Sequence, residues 1–183
     1  MAKRAPESGL IEEVIGIYFH TKVTKGGRNL SCAALVAVGD GKGKVGLGYA
    51  KARGVPMAIE KGTKIARESM VRISMVGDTI VHEVIGHYGS ARVLLKPASP
   101  GTGVKAGGTV RALMRAAGIR NVLSKVFGNT NPTNLAKATM DALTSMRSLQ
   151  EIQKLRRPDV RLRHPQAVTP HPVQAAQVTP ASE

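Results

Sequence analysis

Apolar and polar residues alternate along two segments near the start of the chain, and this pattern predicts two strands. The first, over residues 12–22, places Ile15, Ile17 and Phe19 on one face. The second, over residues 29–38, has one face that is wholly apolar. The turn between them contains Gly26 and Gly27, and the glycine-rich GDGKGK follows the second strand, so we expect two consecutive hairpins.

The third strand, residues 45–50, is half glycine. Its alternation puts Val45, Leu47 and Tyr49 on a core-facing side and Gly46, Gly48 and Ala50 on the other. Glycine weakens a strand, and a common compensation is the close approach of another backbone. Because the chain is strongly basic, we expect that second backbone to be a sugar-phosphate one.

Helical periodicity then alternates with further strand-like runs. A helix is predicted from Pro56 to about Met70, with Ala58, Ile59, Ile65, Ala66 and Met70 toward the sheet. The runs VRISMV, TIVHEVI and ARVLLK are rich in strand-forming residues, and a glycine loop leads into a helix over residues 109–117 that Gly118 ends. The strand NVLSKVF comes next, and Asn131 caps a last helix whose buried side runs from Leu135 to Leu149.

These elements predict an α+β protein with a second unit of small βαβ type. We place an N-terminal extension at residues 1–10, a domain of three strands and a helix at 11–74, an α/β domain at 75–155 and a tail at 156–183. The tail is rich in proline and alanine and poor in residues that could form a core, so we expect it to be disordered.

The charge balance indicates a polyanionic partner. The net charge is +15, from 27 Lys and Arg against 12 Asp and Glu, and residues 84–140 contain no acid at all. Only five residues are aromatic, too few for extensive base stacking, so we expect contacts to the phosphates and riboses of folded RNA. The candidate RNA-binding residues lie in the two turns, after the third strand and in the acid-free stretch: Lys22, Lys25, Gly26, Gly27, Arg28, Lys42, Lys44, Lys51, Arg53, Arg92, Lys105, Arg111, Arg115, Arg120 and Lys125.

The sequence lacks residues that nucleotide-binding and metal-dependent enzymes require. The glycine patterns after Gly41 and Gly101 lack the helix or the acidic residue of a dinucleotide site, and no phosphate-binding loop lysine follows them. His82 and His87 are five residues apart and cannot share a metal as HExxH does. We therefore expect no cofactor, no metal and no catalysis. The lone Cys32 suits a reducing compartment, and no stretch has the length of a membrane span or the form of a signal peptide. The residues alone leave open an RNA- or DNA-backbone-binding protein of another kind.

Several segments together resemble ribosomal protein S five of the bacterial small subunit. They are KGGR, VGDGKGKVGLGYAKA and VPMAIEKG in the first unit, and LLKPASPGTGVKAGGTVRALMRAAGIRNVLSKVFGNTNPTNLAKATMDAL in the second. The resemblance implies a first domain similar to a double-stranded-RNA-binding fold and a structural role in the cytoplasmic ribosome. It also implies a part in subunit assembly and translational accuracy, a place along the path by which mRNA enters, and neighbours S three, S four and S eight.

The resemblance assigns two surfaces. The turn from Lys22 to Arg28 is similar to the family loop that reaches the head-neck region of the small-subunit RNA. Residues similar to the surface facing protein S four are Gly101, Thr102, Gly103, Gly107, Gly108 and Arg111. Departures from the family pattern are Tyr18 and Phe19, where many members have Asn-Arg, Ala50 in place of a common glycine, and Gly54 in place of an acid.

Overall fold

The computed structural model describes residues 9–156, and its first half is an antiparallel sheet with one helix. The elements are β1 (Ile11–Thr24), β2 (Gly27–Gly39), β3 (Lys44–Ala52), α1 (Val55–Glu68) and β4 (Val71–Arg72), with the strands in the order β1-β2-β3-β4. The three strands and the helix that the sequence predicts are confirmed, with β1 longer at both ends than expected.

Strand β2 is buried on both faces over most of its length, whereas the sequence pattern predicts one apolar face. Cys32, Ala34 and Val36 pack with Ala58 and Ala66 of α1. The alternate residues, among them Leu35 and Ala37, belong to a larger core that is shared with the second half of the chain. Continuous apolar runs of this kind are typical of strands covered on both sides.

Strand β3 meets α1 through its glycines, and the expected sugar-phosphate contact there is wrong. A Cβ on Gly48 would collide with the carbonyl oxygen of Gly62, and one on Gly46 with the carbonyl oxygen of Ala66. The backbone that approaches this face is therefore that of the chain's own helix. Glycine is needed here because the helix and the strand pack backbone against backbone.

The close packing of α1 also decides which of its residues are buried. Ala58, Gly62 and Ala66, spaced four apart, lie against the sheet. Ile65 was predicted on that side but is 37% exposed, since a contact through small residues turns its bulky side chain to the rim.

A β-bulge in β1 overturns the predicted face of that strand. The register with β2 shifts between Val14 and Gly16, so the alternation of side chains changes there. Ile15 and Tyr18 pack against the core, whereas Ile17 and Phe19 are exposed. A bulge inserts one residue and reverses the faces beyond it, which a simple period of two cannot anticipate.

The second half combines a mixed sheet with two long helices. Its elements are β5 (Met75–Val76), β6 (Thr79–Ile80), β7 (Val84–Tyr88), β8 (Ala91–Pro97), β9 (Val104–Lys105), α2 (Gly108–Ala117), β10 (Val122–Gly128) and α3 (Pro132–Ser145). The sheet order is β7-β8-β10-β9, and β9 pairs parallel with β10 across α2, which is the expected βαβ arrangement. The α+β class is thus confirmed.

Helix ends follow the local signals in the sequence. Gly118 adopts the left-handed conformation at the end of α2, with φ of 86°. The side chain of Asn131 accepts a hydrogen bond from the Thr133 N–H at the start of α3. Helix α3 ends at Ser145, so the prediction that Leu149 continues its buried stripe is wrong; Leu149 instead begins a separate short helix, α4 (Leu149–Leu155).

The GDGKGK turn has a structural role that the sequence did not indicate. The N–H groups of Gly41 and Gly43 donate to the carbonyl oxygens of Ala116 and Ala117, at 3.1 and 3.0 Å. These carbonyls lie in the last turn of α2 and have no partner within the helix. The turn therefore caps α2 and joins the first sheet to the second half of the chain.

The boundary between residues 11–74 and 75–155 stays a prediction, and the tail predicted from residue 156 lies outside the described residues except for Arg156. None of the helices within residues 9–156 is long and apolar enough to cross a membrane.

Candidate nucleic-acid interface

The paired ends of β1 and β2 form a hairpin arm, residues 19–30, that lies outside the core. The two strands stay in register as far as Thr24 and Gly27, and every residue from Phe19 to Leu30 is exposed. No acidic residue occurs between residues 14 and 39. The arm thus carries the positive charges of Lys22, Lys25 and Arg28 on an exposed surface that contains no acid.

The arm also has an unexpected apolar side. Phe19 is 64% exposed, and Val23 and Leu30 are exposed as well. Cross-strand pairing of Phe19 with Cys32 and of Thr21 with Leu30 sets these residues on one face of the arm. The exposed Phe19 stands at one of the positions where the sequence departs from the family pattern.

The basic residues of the GDGKGK turn are fixed by Asp40. Its Oδ1 accepts hydrogen bonds from the N–H groups of Lys42 and Lys44, at 2.7 and 2.9 Å. Desolvation acts to raise the pKa of Asp40, but these hydrogen bonds and the nearby Lys44 charge outweigh it and hold the pKa below its ordinary value. The carboxylate therefore stays ionised and holds the turn, while both lysine side chains remain exposed.

Three predicted site residues from distant parts of the sequence meet around one open cavity of about 670 Å³. Lys42, Arg115 and Arg120 all line it. Two of them already have acidic partners, since Arg115 Nη1 lies 3.2 Å from Glu13 Oε1 and Arg120 Nη1 lies 3.9 Å from Asp78 Oδ2. Glu13 and Asp78 of the same chain thus supply some negative charge to the acid-free stretch, while both arginines remain exposed.

Arg111 and Arg115 lie one turn apart on the exposed side of α2, and each has a partner within the protein. Arg111 Nη2 donates to the carbonyl oxygen of Ala106 at 2.9 Å, while Arg115 pairs with Glu13. Separate partners hold the two side chains and offset their mutual repulsion.

The remaining basic candidates have no ion-pair partner among residues 9–156. They are Lys22, Lys25, Arg28, Lys42, Lys44, Lys51, Arg53, Arg92, Lys105 and Lys125. The first five lie on the arm and the GDGKGK turn, Lys51 and Arg53 lie at the end of β3, and Lys105 lies in β9. Arg92 and Lys125 lie on the second sheet, so the structure distributes the candidates over several surfaces.

The buried side chain of Asn121 is one of the groups that hold the glycine loop before α2. Asn121 is buried, and its Oδ1 accepts a hydrogen bond from the Gly103 N–H at 3.0 Å. A Cβ on Gly107 or Gly108 would meet nothing within 4 Å, so these glycines face open space. The loop and Arg111 together form an exposed surface at the start of α2 that fits contact with another molecule.

The side chain of His82, in the HEVIGH motif, contacts two backbone groups. His82 Nδ1 is 2.8 Å from the carbonyl oxygen of Glu83, and its Nε2 accepts a 3.4 Å hydrogen bond from the Arg147 N–H. Within residues 9–156 no three His, Cys, Asp or Glu side chains are placed to hold a metal ion. That the motif binds no metal stays a prediction.

Sequence reasoning missed one surface, the exposed side of the second sheet. Leu123 and Phe127 are exposed there beside Arg92, Lys96 and Lys125. The signal was present, because a period of two along β8 and β10 separates the buried Val93 and Val122 from these exposed residues.

Comparison with known families decides what this combination of hairpin arm, glycine loop and mixed sheet represents. The family described as Ribosomal protein S5, N-terminal domain, matches residues 10–74, and the Ribosomal protein S5, C-terminal domain, matches residues 86–156. The chain belongs to the ribosomal protein S5 family. The resemblance stated from the sequence is therefore confirmed, and with it the expectation of a structural protein without enzymatic activity.

Individual uS5 proteins align over most of the chain. The small ribosomal subunit protein uS5 of Rubrobacter xylanophilus is 52% identical over 155 residues, which are 85% of this chain and 78% of that protein. The uS5 protein of Lawsonia intracellularis is 49% identical over 150 residues, covering 82% and 92%. That of Thermotoga maritima is 51% identical over 145 residues, covering 79% and 82%.

Proposed function

We propose that this member of the uS5 family is a structural constituent of the small subunit of the cytoplasmic ribosome and binds its rRNA, with the hairpin arm as the principal contact. The observation that carries the proposal is the arm itself: residues 19–30 are all exposed, and Lys22, Lys25 and Arg28 have no ion-pair partner among the described residues. A hairpin that contributes so little to the core is well suited to enter a groove or junction of a folded RNA.

The chemistry of the arm favours contacts to the RNA backbone. Lysine and arginine side chains at a glycine turn can approach phosphates closely, because Gly26 and Gly27 add no side chain to the tip. Phosphate contacts position a protein on RNA without reading its sequence. The arm would therefore recognise the shape of an rRNA junction.

The glycine loop before α2 supports a further part of the proposal, contact with a neighbouring ribosomal protein. Gly101, Gly107 and Gly108 are exposed, with the partly buried Thr102 and Gly103 between them, and Arg111 is held beside the loop by its bond to the carbonyl oxygen of Ala106. We assign this surface to protein S four, and place proteins S three and S eight as further neighbours. Through these contacts the chain would support subunit assembly, line the path by which mRNA enters and contribute to translational accuracy.

Binding of the purified chain to small-subunit rRNA is expected to depend steeply on salt. Neutralised phosphates release counterions, so log K should fall with log salt with a slope of magnitude about 5 or more. The slope can be measured by filter binding or fluorescence anisotropy in potassium chloride from about 50 to about 300 mM. A nearly flat response would contradict an interface built on phosphate contacts.

A further inference from the structure

The second sheet has one covered and one open side. On the covered side Gly86, Val93, Leu95 and Val122 are buried, and α3 packs against β7 and β8. We name the other side the open sheet face. Its cross-strand rows are His87, Arg92 and Phe127, then Ile85, Leu94 and Lys125, then Lys96 and Leu123.

The open sheet face combines apolar and basic groups. Phe127 is 48% exposed and lies directly across from Arg92, and Ile85 and Leu123 are also exposed. Arg92 and Lys125 have no ion-pair partner within residues 9–156. Lys96 alone pairs with an acid, Glu83, at 3.2 Å. The face therefore carries uncompensated positive charge around an exposed aromatic ring.

The apolar and basic groups together indicate which kind of molecule the open sheet face can bind. Unpaired Arg92 and Lys125 favour a polyanion over an ordinary protein surface, since both charges would otherwise lose water without gaining a partner. In a duplex the base faces are stacked on one another and cannot reach a phenyl ring, whereas an unpaired nucleotide can place its base on Phe127 and its phosphate near Arg92.

We infer that the open sheet face binds a short single-stranded segment of RNA, with one base stacked on Phe127 and the flanking phosphates on Arg92 and Lys125. Adjacent strands lie about 4.8 Å apart and each residue adds about 3.4 Å, so three strands offer room for two or three nucleotides. The inference rests on the proposed function, because it adds an unpaired segment to the RNA contacts proposed for the arm.

The test uses the full chain and a fluorescein-labelled ten-nucleotide single-stranded RNA of mixed sequence, with binding followed by anisotropy. Phe127→Ala should weaken binding about tenfold, whereas Phe127→Tyr keeps the ring and should stay within about twofold of wild type. Arg92→Ala with Lys125→Ala should weaken binding and reduce the magnitude of the salt slope by about 2. Met57→Ala is the control, because Met57 is 64% exposed on α1, away from this sheet.

A second readout needs no variant. Ultraviolet cross-linking of the wild-type protein to the same RNA should attach nucleotides to the tryptic peptide 126–137, which contains Phe127. Cross-links confined to other peptides, or a Phe127→Ala protein with unchanged affinity, would overturn the inference.

The remaining outcomes separate the two proposals. A wild-type protein that binds small-subunit rRNA but not the ten-nucleotide RNA overturns the inference and leaves the proposed function standing. Failure to bind small-subunit rRNA overturns the proposed function. If the Phe127 and Arg92 variants bind both RNAs as wild type does but are lost from small subunits in cells, the open sheet face takes a protein and the inference is wrong.

Discussion

Replacing Lys22, Lys25 and Arg28 together by alanine is expected to weaken binding to small-subunit rRNA by about 100-fold at moderate salt, and to reduce the magnitude of the salt slope by about 3. The reason is that the arm concentrates three unpaired positive charges on a surface with no acid of its own. The thermal midpoint should change by no more than about 2 °C, because exposed charges contribute little to stability.

A matched variant separates the position of these charges from their number. Lys61, Lys64 and Arg67 are exposed on the outer side of α1, and Arg67 pairs with Glu12 at 2.8 Å. Their triple replacement by alanine removes the same charge from the protein and should weaken rRNA binding by less than about tenfold. Equal losses in the two triple variants would show that net charge, and not the arm, determines affinity.

The second large effect is on stability. Gly48→Ala is expected to lower the free energy of unfolding by about 3 kcal/mol, because the added Cβ would collide with the carbonyl oxygen of Gly62 and force α1 away from β3. For a chain of this size that corresponds to a fall of roughly 10 °C in the thermal midpoint. Thermal and urea unfolding of the free protein, followed by circular dichroism, measure it.

The control for Gly48 is Gly108→Ala in the first turn of α2. A Cβ there meets nothing within 4 Å, and alanine favours a helix, so stability should be unchanged or slightly higher. If the Gly48→Ala protein had wild-type stability but did not bind rRNA, the glycine face of β3 would contact the RNA and not α1. That result would contradict the backbone packing of α1 on β3.

What could be predicted from the sequence was mostly local. Gly118 and Asn131 were identified as helix ends because a left-handed glycine and an asparagine cap act within one turn of the chain. The alternation in NVLSKVF was enough to predict β10. The basic turn of the arm was likewise visible, since charge and glycine content do not depend on tertiary contacts.

What failed depended on contacts between distant residues. The partner of Gly48 is a helix residue that pattern analysis cannot place, and the pair of Glu13 with Arg115 joins residues 102 positions apart. The bulge near Gly16 reverses the faces of β1, and Gly41 and Gly43 cap α2. Neither feature can be predicted without the folded structure. Because of these contacts, Gly46 and Gly48 pack within the protein and Arg115 has an acidic partner, which the sequence pattern does not indicate.

Sedimentation of cell extracts tests the central claim most directly. Extracts from cells producing the chain would be separated on sucrose gradients after a high-salt wash, and the chain quantified across the fractions by mass spectrometry. We expect the chain to sediment with the small subunit in amounts equal to those of the other small-subunit proteins. Its recovery in fractions free of ribosomes, while those other proteins remain bound, would contradict the proposal that it is a constituent of the small subunit.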